Sequence, residues 1–87
     1  MKNETQMDFD IPAINVGYII LVSRRSTTDP HLSIVLGFNK DQFQPDWRYA
    51  PLVTWYFNHQ TGGFGHGNYY PPTEASEAFA NYLERES

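Results

Sequence analysis

The side chains best able to do chemistry in this chain are three histidines and a scattered set of carboxylates. His59 and His66 lie on either side of the turn Gln60 to Gly63, His66 within the glycine-rich run TGGFGHG, Thr61 to Gly67. Across a hairpin they would stand close together, as a metal-ligating or proton-transferring pair. Two imidazoles fall short of a metal site, and His31 sits at no short ligand spacing from either, so all three read as polar strand and turn residues. No metal and no cofactor is expected. The glycines resemble a phosphate-binding loop, but such a loop joins a strand to a helix and is usually followed by a lysine. This one joins two strand-like runs, which makes it a turn. No cysteine is present and no serine lies in a G-x-S-x-G context, so nucleophilic catalysis has no candidate. The carboxylates of the N-terminal arm, of Asp41 and Asp46, and of the C-terminal helix all fall where solvent is expected, and none converges on a pocket. The expectation is a protein that is not an enzyme.

Binding chemistry is better represented. Aromatic residues make up 16% of the chain, and clusters of Trp, Tyr and Phe are what protein interfaces use as anchors. Trp55, Phe57 and Tyr69 are the candidate anchors. Glu74, Glu77 and Glu84 recur on one side of a helical stretch and would steer a basic partner by long-range attraction. A solvated helix face accounts for the same three residues without any partner.

The elements that must carry these residues follow from periodicity. Asn15 to Ser23 (NVGYIILVS) is rich in β-branched and aromatic residues and lacks alternation, which predicts a strand covered on both faces. Asp29-Pro30 marks a turn. Leu32, Ile34, Leu36 and Phe38 then alternate with smaller residues and predict a second strand with one apolar row. Asn39 to Tyr49 has no period and contains Pro45-Asp46, so it reads as a loop that Phe43 and Trp47 pin to the body. Leu52 to His59 and Phe64 to Tyr70 predict a third and a fourth strand joined at Gln60 to Gly63. Pro71-Pro72 stops the last strand, Thr73 caps a helix, and Ala75, Ala78, Phe79, Tyr82 and Leu83 form its apolar stripe. The expected fold is α+β: a four-stranded antiparallel meander with one C-terminal α-helix packed on it.

That fold poses a problem of coverage. One short helix shields one face of a sheet, so the aromatics of the other face need a second cover. Either the loop from Asn39 to Tyr49 supplies it, or the face is open and serves as a partner-binding surface.

With 87 residues, the chain fits one domain over residues 11–87, preceded by a flexible acidic arm over residues 1–10. A formal charge of −4 argues against direct nucleic-acid binding, which draws on a basic surface. Arg24, Arg25, Lys40 and Arg48 are too few to surround an aromatic stacking platform for single strands. No run is long enough to span a bilayer, and the polar start MKNETQMDFD is unlike a signal peptide. A cytoplasmic protein is expected.

The short acidic cysteine-free chain, the sheet-plus-helix pattern and the aromatic runs LVTWYFNH and FGHGNYY together resemble the small anti-defence proteins of phages and mobile elements, the anti-CRISPR inhibitors among them. That resemblance covers the profile of the chain and carries over no individual residue. It implies a stoichiometric inhibitor that binds a Cas nuclease, a basic effector, and blocks nucleic-acid binding or activation in the host cytoplasm. The alternative is a small homodimeric structural or regulatory subunit, associating through an uncovered sheet face or an edge strand.

Overall fold

A computed structural model describes residues 9–44, 46 and 48–86. Antiparallel strands β1 (Ile14–Asn15), β2 (Tyr18–Arg25), β3 (Leu32–Phe38), β4 (Leu52–Asn58) and β5 (Gly63–Tyr70) form one sheet in sequence order, followed by helix α1 (Ala75–Glu84). The α+β meander with a C-terminal helix matches the expectation, but the sheet has five strands where four were expected. The first strand is cut at Val16 and Gly17, both of which adopt positive φ, 42° and 87°. That is the backbone of a two-residue hairpin turn whose twist suits the flanking strands, and it pairs Asn15 with Tyr18 and Ile14 with Ile19. The valine conceals this turn in the sequence, because a β-branched residue rarely takes positive φ.

The β2–β3 turn is held by side chains. The Ser26 hydroxyl accepts from the backbone of Thr28 and Asp29 at 3.1 Å each, and Asp29 accepts from His31 N at 2.9 Å. At the β4–β5 turn, Asn58 accepts from Gln60 N at 2.8 Å, and Gly62, at a φ of 77°, closes the loop onto Asn58 O. β5 carries a bulge opposite Trp55, between the pairs Thr54–Asn68 and Tyr56–Gly65. His66 sits in it at a φ of 55°. A Cβ on the next residue, Gly67, would lie 2.7 Å from Nε1 of Trp55, so glycine here lets the indole lie flat against the strand.

The sheet buries residues on both faces. On one, Ile34, Leu36 and Leu52 pack against Ala78 and Tyr82 of α1. On the other, Tyr18, Val35, Val53, Trp55 and Phe57 form a second cluster, joined by edge-to-face contacts such as Tyr18–Trp55 at 5.5 Å. Ile11, Ile20 and Phe64 pack on this second cluster. The segment leading into β1 therefore supplies cover, where the sequence offered a choice between the Asn39–Tyr49 loop and an open face. Phe43 of that loop packs on Phe38 instead, on the helix side, and Trp47 lies outside the described residues. The expected arm over residues 1–10 falls outside them too, except for Phe9 and Asp10. Phe9 is docked on the body, its N–H donating to His59 O at 2.8 Å.

α1 does not start at a Thr73 cap. Pro72–Glu74 first makes a single 3-10 turn, with Glu74 N donating to Pro71 O. At the other end Arg24 of β2 caps the helix, its guanidinium donating to the carbonyls of Tyr82, Leu83 and Arg85 at 2.8, 3.1 and 2.5 Å. A cation there satisfies orphan carbonyls and opposes the negative end of the dipole. No helix among the described residues is long and apolar enough to cross a membrane.

Candidate protein-binding surface

The structure divides the six candidate residues between the core and the surface. Trp55 is 4% exposed and Phe57 not at all, so both anchor the fold and present no area to a partner. Trp55 is enclosed by Tyr18, Phe64 and Tyr69, and Phe57 by Phe64 and His59. This corrects their assignment as contact residues. Residues this apolar on a central strand serve packing once the opposite face is covered, and that cover comes from a segment too polar at its start to be recognised as one.

Tyr69 is half exposed at the edge of the same aromatic face, 6.0 Å from Tyr18 and 6.1 Å from Trp55 between ring centroids. Glu74, Glu77 and Glu84 are exposed as expected. Helix geometry puts them on one flank with Asn81, and Asn81 fixes which flank: its side chain accepts from Thr54 Oγ1 at 2.5 Å and from Asn68 of β5 at 3.2 Å. The acidic row therefore borders β5. Tyr70 lies beneath it; burial raises its phenol pKa, and among the nearby charges Arg85 lowers it while Glu74 and Glu77 raise it.

The described carboxylates differ in how they are used. Asp41 pairs with Lys40, Asp46 with Arg48 and Glu86 with Arg24. Glu74, Glu77 and Glu84 have no ion pair among the described residues, and Glu77 accepts only from Ser76 at 3.4 Å. Arg85, which follows Glu84 directly, is spent on the sheet: it donates to Thr54 O and Oγ1 at 2.9 Å and to His66 O, with its guanidinium 4.1 Å over the Tyr56 ring. The outer edge of β5 thus has an uncompensated acidic row on one side and Tyr69 on the other.

His59 and His66 do not meet. His59 meets Phe57 edge-to-face within the aromatic face, and the His66 ring lies against Tyr56 on the helix face. His66 instead lines an open cleft of about 450 Å³ with Asp29, Leu32, Tyr56 and Asn58. Three of its polar groups are committed to local structure: Asp29 and Asn58 to their turns, and Tyr56 OH to the carbonyl of Glu86.

Comparison with protein-family models, with curated proteins and with solved structures finds no match to this chain. The surface itself is therefore the ground for a functional reading. Sequence inspection missed the role of His59, whose signal was its place directly after an apolar strand, where a buried imidazole needs two partners.

Proposed function

We propose that this protein is a non-enzymatic binder that engages a basic protein surface through the acidic flank of α1, with Tyr69 as an aromatic contact at the adjoining edge. The observation that carries the reading is the row of Glu74, Glu77 and Glu84, exposed beside β5 and without an ion pair among the described residues, whose cations are engaged elsewhere. Unpaired charges of one sign on a rigid helix repel one another slightly at rest, and that cost is offset when a surface of opposite sign arrives.

The partner class that fits is a nucleic-acid-binding protein, because its phosphate-binding channel presents lysines and arginines at comparable density. A Cas nuclease effector is such a protein, and blocking its channel is the action that the anti-CRISPR resemblance implies. The bulge at His66 and Gly67 disrupts the ladder edge of β5, which favours recognition through side chains over addition of a strand.

The test is a binding titration and a cleavage assay against a purified Cas nuclease complex. Reversal of all three charges (E74K, E77K, E84K) should weaken binding at least tenfold and abolish its salt dependence, and Tyr69→Ala should weaken it several-fold. Undiminished binding by the charge-reversed, correctly folded protein would overturn the reading.

A further inference from the structure

α1 leaves part of its own sheet face bare. It packs on β3, β4 and β5. Ile14, paired with Ile19, and Val22, paired with Leu36, lie on the same face through β1 and β2, yet remain 61, 50 and 45% exposed. Five strands span roughly 19 Å between outer axes, room for two helices side by side at the usual spacing of about 10 Å. One is present.

The bare wing is walled by apolar side chains. Phe43 closes one end against Phe38, 6.3 Å between centroids. The near flank of α1, opposite the Asn81 flank, carries Phe79 and Leu83, 51 and 66% exposed. With Ser76 and Ala80 they form an i, i+3, i+4, i+7 stripe that the helix does not use for its own packing. Beside Val22 the guanidinium of Arg24 is already consumed by the helix C-terminus, so it needs no counter-ion from a partner.

We propose that this surface binds a second copy of the same chain in a two-fold pair, the exposed stripe of each α1 lying on the β1–β2 wing of the other. What the wing lacks is a helix with a short apolar stripe, and this chain presents one at the rim. Two-fold symmetry makes the same patch both donor and acceptor. Ile14, Ile19, Val22, Phe43, Phe79 and Leu83 together expose on the order of 700 Å², close to the per-partner share of a stable interface and above the largest patch of most monomers. The acidic row lies on the opposite flank of α1 and stays outside the contact, so the dimer does not depend on the proposed partner and would present two copies of its binding flank.

Sedimentation velocity over a concentration series, from low micromolar to several hundred micromolar, tests this on the full chain. The wild type should shift from monomer to dimer. Val22→Lys and Leu83→Glu should each remain monomeric with unchanged circular dichroism, since both positions are solvent-exposed in the monomer. Mixing the two variants, or combining them in one chain, should restore the dimer, because the lysine of one copy then faces the glutamate of the other. A wild type that stays monomeric throughout, a dimer indifferent to both substitutions, or a failure of the charge pair to restore association would overturn the proposal. E74K/E77K/E84K should dimerise like the wild type, which separates this surface from the partner-binding one.

Discussion

Nδ1 of His59 lies 2.8 Å from the carbonyl oxygen of Phe9, while Phe9 N–H donates to the carbonyl of His59 at the same distance. A ring nitrogen facing a carbonyl must carry its proton, so in the neutral ring Nε2 accepts from the Ser33 hydroxyl, 2.7 Å away. One buried imidazole thereby ties the chain preceding β1 to β3 and β4, over the aromatic cluster.

His59→Ala should release that segment. It leaves the Ser33 hydroxyl buried without a partner and should cost about 2 kcal/mol in chemical denaturation. Limited proteolysis between Phe9 and Ala13 should accelerate, and Trp55 fluorescence should shift to the red as water reaches the indole. Unchanged proteolysis would show that Ile11 and the Phe9 N–H bond to the carbonyl of residue 59 hold the segment without the imidazole.

Val16 predicts the opposite effect. It is 74% exposed and sits at a φ of 42°, where a β-branched side chain is strained and asparagine is at ease. Val16→Asn should stabilise the protein by about 1 kcal/mol, read as a higher denaturation midpoint with an unchanged slope. A loss of stability would mean that the valine side chain makes contacts worth more than its strain.

Glu86 fastens the chain after α1 to the β2–β3 turn. It accepts from Thr27 Oγ1 at 2.9 Å and Thr27 N at 3.1 Å, and lies 3.5 Å from Arg24. The hydrogen bonds from Thr27, aided by Arg24 and Ser26 against a smaller effect of burial, hold its carboxyl below the ordinary glutamate range. A depressed folded-state pKa contributes stability that is present above the unfolded value and lost as pH falls through the folded one. The melting temperature should therefore drop on acidification below about pH 4.5, and Glu86→Gln should be less stable than wild type at neutral pH with a shallower acid slope. Parallel acid slopes for the two proteins would exclude this contact as a contributor.

Much of the architecture was legible in the residues. The alternation of Leu32, Ile34, Leu36 and Phe38 located β3 to the residue, and the runs on either side of the turn at Gln60 to Gly63 located β4 and β5 within one residue at each end. These elements are legible because period and turn chemistry are local properties of the backbone. The five apolar helix positions were legible as well, but only as a set. Ala78 and Tyr82 are buried while Phe79 and Leu83 stay exposed, since the helix sits over β3 to β5 and its position across the sheet is not encoded in its own period.

The sequence by itself determined the meander, the helix and the acidic row, all of which depend on residue type and short-range spacing. Only the tertiary structure decided that Trp55 and Phe57 are core, that His59 and His66 lie on opposite faces, and that Val16 and Gly17 split one strand into two. Those outcomes depend on which distant segment covers which face. The contacts of the buried His59 ring with Phe9 and Ser33 span such long sequence separations, and short-range spacing does not reveal them.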